Sequence, residues 1–207
     1  MPPIGAGTGH PGWLAKNGGT GILGPMQTQR KTPTTALVLI PPLEVWEPIQ
    51  RIRRRFDRQF RRWMPHITML YPFRPATQFD QVASILGPVC RAARPLEIEL
   101  RTFHRFAHAH SFTMWLAPEP AEPIRRLQAR LLACVPECND VCLHEGGFTP
   151  HLSVGQARSA EELEARLSEL RSTFQPMRFV ISDVALIRRG RSPDSRFEVD
   201  RLLPLGR

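Results

Sequence analysis

The stretch "FTPHLSVG" (148–155) decides how this chain is read, because "MPHITMLY" (64–71) carries the same phrase earlier. Both run Pro-His-apolar-(Thr/Ser)-apolar, at 65–69 and again at 150–154. Such alternation marks a strand with one buried face. Residues two apart on a strand point to the same side. His66 and Thr68 therefore share one face, with Ile67 and Met69 on the other. His151 and Ser153 repeat the arrangement, backed by Leu152 and Val154. One His-x-Thr phrase is ordinary for a half-solvated strand. Two copies, each preceded by proline and each alternating with apolar residues, point to a site floor built from a repeated unit.

Elements laid outward from these phrases also fall into two similar series. "TTALVLIP" (34–41) is a continuous apolar run ended by prolines, as a buried strand would be. Over 43–63, Ile49, Ile52, Phe56, Phe60 and Trp63 recur at helical spacing and predict an amphipathic helix. Its other faces carry Arg51, Arg53, Arg54, Arg55, Arg58, Arg61 and Arg62, which fits either an RNA-facing or a simply solvated surface. Residues 66–73 read as a strand and 78–93 as a helix. "PLEIELRTF" (95–103) and "SFTMWLAP" (111–118) pair as a hairpin. Residues 121–135 form a helix on Ile124, Leu127, Leu131 and Leu132. After the second phrase, 159–174 is a helix that Ser159 caps and Glu162 completes as a capping box. Residues 177–189 and 195–205 read as two strands joined at Gly190 and Pro193. The predicted class is α+β: a bilobal, pseudo-twofold, duplicated fold with two antiparallel-rich sheets flanked by helices and a central cleft.

Residues 1–33 are rich in Gly and Pro and lack periodicity, so they read as a disordered leader, leaving 34–207 as one bilobal domain. No apolar run reaches the ~18 residues of a membrane span, and the N-terminal stretch has no apolar core of a secretory signal. A cytoplasmic monomer with no membrane association is expected. The net charge of +9 favours a polyanionic partner, RNA or nucleotide phosphate. The basic residues are nearly all arginine, with only Lys16 and Lys31 as lysines, a bias that genome composition also produces. Cys134, Cys138 and Cys142 precede His144 in "CVPECNDVCLH", without the paired spacing of zinc sites and with Pro136 between them. They and Cys90 read as reduced thiols, and no metal or cofactor is expected. His104, His108 and His110 straddle the hairpin turn and read as surface histidines.

If the two strands lie side by side, the site holds two imidazoles and two hydroxyls. Imidazole is neutral or charged near pH 7 with little help. One neutral ring can take a proton from an attacking oxygen, and one charged ring can give a proton to a leaving oxygen. The hydroxyls can donate to phosphate oxygens whose charge grows in the transition state. A strained 2′,3′-cyclic phosphate suits this chemistry.

With these motifs in place, the sequence resembles the two-histidine (2H) phosphoesterase superfamily, in its 2′-5′ RNA ligase-like branch. "HITM" (66–69) and "HLSV" (151–154) carry the likeness, which runs from about 34 to 205. It includes "RTFHRFAHAHSFTMWLA" (101–117) and "ALIRRGRSPDSRFEVDRLLPL" (185–205). The resemblance implies that His66 and His151 are the acid–base pair and that Thr68 and Ser153 grip the phosphate. It does not say which histidine is the base. Tyr71, Phe73 and Arg74 follow the first motif closely and are candidates for binding substrate by stacking or phosphate pairing. Arg188 and Arg189 end a strand and are candidates to reach the cleft. The implied activity is a metal-independent phosphodiesterase acting on RNA 2′,3′-cyclic phosphate ends, by hydrolysis or reversible 2′-5′ ligation. Small cyclic nucleotides or 2′,5′-oligonucleotides are the alternative substrates, and a non-catalytic basic RNA-binding module is the alternative outside enzymes.

Overall fold

The apolar run at 35–39 is buried at every position and forms β1 (Thr35–Leu39). Its neighbours are β2 (Ile67–Leu70) on one side and β7 (Asp183–Arg188) on the other, with β8 (Glu198–Pro204) beyond. The second sheet has the order β5 (Leu152–Ala157), β4 (Ser111–Glu119), β3 (Leu96–His108), β6 (Met177–Ile181). All pairings in both sheets are antiparallel. These relations come from a computed structural model, which describes residues 30–143 and 146–206. Residues 1–29 of the leader expected over 1–33, and His144, lie outside the described residues. Residues 30–33, assigned by sequence to that leader, do make contacts. Thr32 bridges to Phe73, and Lys31 pairs with Asp140.

The duplication is visible in the chain path. Each half contributes a pair of adjacent strands, β1–β2 and β4–β5, joined by a helix. These are α1 (Trp46–Phe56) and α3 (Ala121–Cys134). A second helix follows in each half, α2 (Phe79–Arg91) and α4 (Ala160–Thr173). After α2 the chain crosses to the other sheet, where β3 pairs with β4; after α4 it first adds β6 beside β3 and then crosses back as β7, which pairs with β1. The edge strands β2 and β5 touch across the lobe boundary. One large core, from Leu37 and Leu39 through Ile49, Leu86, Met114 and Leu167, fills the helix-covered side of both sheets. At roughly 25 cal/mol per Å² of apolar surface, this burial is the main stabilising term.

Two expected elements differ from those observed. The helix predicted over 43–63 is a short 3-10 turn at 43–45 followed by α1, which stops at Phe56. Asp57 has extended backbone, and its Oδ1 accepts from the Gln59 N–H at 2.8 Å, a local bond that competes with the helical ladder. Phe60 and Trp63 thus lie on a turn after the helix, although their spacing matches its apolar stripe. The strand predicted over 177–189 is two strands: at Ser182 the chain leaves the second sheet as β6 and enters the first as β7. An unbroken apolar pattern does not reveal a change of sheet. Ser159 caps α4 as expected, accepting from the Glu162 N–H at 3.1 Å. The Glu162 carboxylate accepts from the Arg158 N–H, one residue before the position a capping box uses.

Gly155 on β5 permits the close approach of α1. A Cβ there would sit 2.5 Å from Phe56 Cβ and 3.0 Å from Phe56 O. Any side chain would force α1 away from the strand that carries the second motif.

Candidate active site

Both motifs carry the same backbone irregularity. Thr68 pairs with Val38 and Leu70 with Leu37, so Met69 is an extra residue on β2. Ser153 pairs with Trp115 and Gly155 with Met114, so Val154 is the extra residue on β5. A bulge raises the local twist and re-aims neighbouring side chains. The two hydroxyl residues therefore occupy matching places, each just before a bulge on an edge strand. Ile67, Met69, Leu152 and Val154 are buried, while His66, Thr68, His151 and Ser153 are half-buried. This is the alternation the phrases predict.

The histidines are also anchored alike. His66 Nδ1 lies 2.7 Å from the Met64 carbonyl oxygen, and His151 Nδ1 lies 2.8 Å from the Thr149 carbonyl oxygen. A carbonyl only accepts, so in each ring Nδ1 carries the hydrogen and Nε2 is left as the working nitrogen. The Pro at 65 or 150 lies between each histidine and its acceptor, and both prolines are buried.

The surroundings differ. The His66 ring stacks on Trp63, with centroids 4.6 Å apart and planes 18° apart. Trp63 in turn stacks on Phe197 at 3.8 Å and meets Tyr71 edge-on at 5.4 Å. These rings close an apolar cluster of Ala36, Val38, Ala185 and Ile187, separate from the main core. His151 meets the Phe106 ring at 86° and the Trp115 ring at 62°, both edge-on. Phe106 and exposed His104 both stack on the Trp115 indole, at 4.9 and 4.7 Å.

Burial pushes the His66 imidazole down to about 4, and the nearby positive charges of Arg53 and His151 act in the same direction. The bond to the Met64 carbonyl and the Asp57 carboxylate oppose this only partly. His66 is therefore neutral at pH 7, with the Nε2 lone pair available. That the His151 charge is felt at His66 agrees with β2 and β5 being in contact.

The structure separates the remaining candidates. Tyr71 is half-buried on the aromatic wall of His66, with its hydroxyl donating to Pro33 O at 3.3 Å. Phe73 is fully buried and packs near Phe79 in the main core, so it cannot stack on a substrate base. Arg74 is 5% exposed and its Nε donates to Glu137 Oε1 at 2.6 Å, which makes it a brace and removes it as a phosphate ligand. Arg188 pairs with Asp200 at 2.5 Å. Arg189 lies over the Phe197 ring at 5.6 Å, at the outer end of the wall. Cys138 is buried, Cys142 accepts from Gln128 Nε2 at 3.4 Å, and among the described residues no three His, Cys, Asp or Glu side chains are grouped as metal ligands. Sequence reading missed the roles of Trp63, Phe197, Phe106, Trp115 and Arg53. Of these, only the aromatics left a signal, as large rings close in sequence to motif strands or to their hairpin.

Two edge-strand motifs facing each other across a two-lobed α+β fold define a phosphoesterase of the two-histidine class. A family model for the 2′-5′ RNA ligase superfamily matches residues 41–193, and the chain belongs to that superfamily. It is 28% identical over 127 residues to a Bacillus pumilus protein named "Putative phosphoesterase", covering 61% of this chain and 71% of that one. A Geobacillus kaustophilus protein of the same naming is 26% identical over 140 residues, covering 65% and 76%. Among solved structures, E. coli LigT complexed with 3′-AMP superposes with a TM-score of 0.59 at 13% identity, over 86% of this chain and 100% of LigT. TT0787 of Thermus thermophilus gives 0.58 at 19% identity, over 83% and 97%. These two show the shared fold.

Proposed function

We propose that the protein is a metal-independent phosphodiesterase that opens 2′,3′-cyclic phosphates by two-histidine general acid–base catalysis. The observation that carries this reading is the matched pair of Nδ1-anchored imidazoles on bulged, touching edge strands. His66, neutral and half-buried, takes a proton from water through Nε2. The water oxygen bonds to phosphorus, and the bond from phosphorus to one ribose oxygen breaks. His151 gives that leaving oxygen a proton from Nε2. The product is a phosphate monoester, and proton exchange with solvent resets both rings. Thr68 and Ser153 donate to the phosphate oxygens as charge builds on them. Ligation follows the same path with an RNA 5′-hydroxyl in place of water: its oxygen bonds to phosphorus, the bond to one ribose oxygen breaks, and the product is a phosphodiester.

The nucleoside has apolar surface to lie on. Phe106 offers a half-exposed face beside His151. Short substrates are favoured over long RNA by one finding. The arginines of α1 are largely compensated: Arg53 is internal, Arg54 pairs with Glu47, and Arg55 pairs with Glu169. This supports small cyclic nucleotides or 2′,5′-oligonucleotides as the second substrate class.

The test is a substrate panel of 2′,3′-cyclic mononucleotides, RNA with a 2′,3′-cyclic phosphate end, and 2′,5′-linked dinucleotides, each with chelator. Turnover of a cyclic phosphate to a monoester is expected. No turnover of any of them, with tight RNA binding, would leave the non-catalytic RNA-binding reading.

A further inference from the structure

Arg53 looks, in sequence, like one more arginine on a basic helix. In the structure it is 2% exposed and makes three hydrogen bonds. Its Nε donates to Asp57 Oδ2 at 2.9 Å, its Nη1 to Gln50 Oε1 at 2.9 Å, and its Nη2 to the Trp63 carbonyl at 2.9 Å. Burying an ion pair costs several kcal/mol per charge before any return, so a fully bonded one asks for a reason. The reason lies in what the partners hold. Trp63 is the ring beneath His66. Asp57 Oδ1 accepts from Gln156 Nε2 at 3.1 Å, and Gln156 is on β5, three residues beyond Ser153. The Gln156 Oε1 accepts from the Arg58 N–H at 3.0 Å, which closes the link back to the same turn.

We propose that the buried Arg53–Asp57 pair is a positioning device for the two-histidine site, seating Trp63 under His66 and tying that assembly across the lobe boundary to β5 through Gln156. One ion pair thereby fixes the distance between the two motif strands and keeps a cation beside the base. The inference rests on the reading of His66 and His151 as an acid–base pair. The charged groups that act on His66 are Arg53 and Asp57 from α1 and its turn, and His151 from β5. Arg53 opposes protonation of His66 and Asp57 favours it, so removing Arg53 alone reverses the local balance. Gln156 carries no charge, so removing it cuts the tie and leaves that balance alone.

The experiment compares Arg53→Met, Arg53→Lys and Gln156→Leu, with two readouts. The first is NMR titration of the His66 ring protons in the absence of substrate. In the wild type the midpoint should be about 4. In Arg53→Met it should rise, with at least about a tenfold gain in proton affinity. In Arg53→Lys and Gln156→Leu it should stay low. The second readout is kcat and KM on whichever cyclic phosphate the wild type turns over. Gln156→Leu should lower kcat about 10- to 100-fold with little change in KM, since displaced catalytic groups slow the step without weakening binding. Arg53→Lys, which keeps the charge but loses the three-way fork, should fall between wild type and Gln156→Leu. If Arg53→Met does not fold, the two folded variants still decide the matter. An unmoved His66 midpoint in folded Arg53→Met, or wild-type kcat in Gln156→Leu, overturns the proposal. The titration needs no turnover, so a protein inactive on every cyclic phosphate would sink the functional reading while the brace is still judged.

Discussion

The two lobes solve one geometric problem twice and one chemical problem in two ways. Each lobe anchors a histidine through Nδ1 to the carbonyl two residues back and places a hydroxyl residue just before a bulge. Around these matched parts the environments part company. His66 lies flat on Trp63 with a buried guanidinium nearby, whereas His151 meets Phe106 and Trp115 edge-on beside the β3–β4 hairpin. Duplication thus preserves where the nitrogens and hydroxyls stand, while the layer behind them differs and, on the first lobe, holds His66 neutral. In the proposed mechanism, such a difference is what lets two like groups take the separate roles of base and acid.

The largest effect should come from breaking the pair itself. His66→Ala and His151→Ala should each lower kcat by about 10²–10⁴-fold on a cyclic phosphate, with little change in the thermal unfolding midpoint, because both rings are half-buried at the cleft. Scanning calorimetry alongside initial rates checks this. If one variant keeps wild-type turnover, the lobes are not partners in a single reaction. Next are the hydroxyls. Thr68→Val and Ser153→Ala should each cost about 10²–10³-fold in kcat, the range for losing one preorganised donor to a developing oxyanion. A loss confined to KM would mean that they bind the ground state and the transition state equally.

How much of this was legible in advance follows from the range of the interactions. The motif faces, the hairpin and the Ser159 cap are local, and the alternation at 66–69 and 151–154 displays them directly. The turn at 57–63 was hidden, because Phe60 and Trp63 continue the helical spacing while the Asp57 side chain ends the helix. Arg53 was hidden for a different reason. Its burial depends on Asp57, the Trp63 carbonyl and a glutamine 103 positions away on β5 meeting at one point, and no window of sequence contains that. Phe73 and Arg74 misled because nearness to a motif in sequence is not nearness in space once β2 ends at Leu70.

A smaller and more selective effect should follow from changing what lies under one histidine. Trp63→Leu removes the stacked ring and admits water to His66. Desolvation is the leading cause of its low proton affinity, so the midpoint should rise from about 4 toward the ordinary value of 6.5. The sign for activity follows from the role: a base works only when neutral. The acid limb of kcat/KM should shift to higher pH, and rates near pH 5 should fall more than rates near pH 8. Stability should respond in the same window. The native protein binds fewer protons at His66 than the unfolded chain between pH 6.5 and about 4, so wild-type stability declines as pH falls through that range. Trp63→Leu should flatten this decline while lowering stability overall through the lost packing. A pH–rate profile and a series of denaturant melts measure the two limbs.

The smallest expected effect lies in the other lobe. Phe106 meets His151 at its edge and stacks on Trp115, and it is only half-buried. Phe106→Leu keeps apolar contact with Trp115 and removes the flat face open to a base. A single base–aromatic stack is worth about 1–3 kcal/mol, so KM should rise by roughly tenfold or more with kcat nearly unchanged. The contrast with Trp63→Leu is what makes the measurement useful. If the aromatic residues of the two lobes differ in role, Trp63 changes the pH profile and Phe106 changes KM at every pH. Should Phe106→Leu move the acid limb as well, the second ring also tunes proton affinity, and the division between a lobe that sets the base and a lobe that holds the nucleoside would fail.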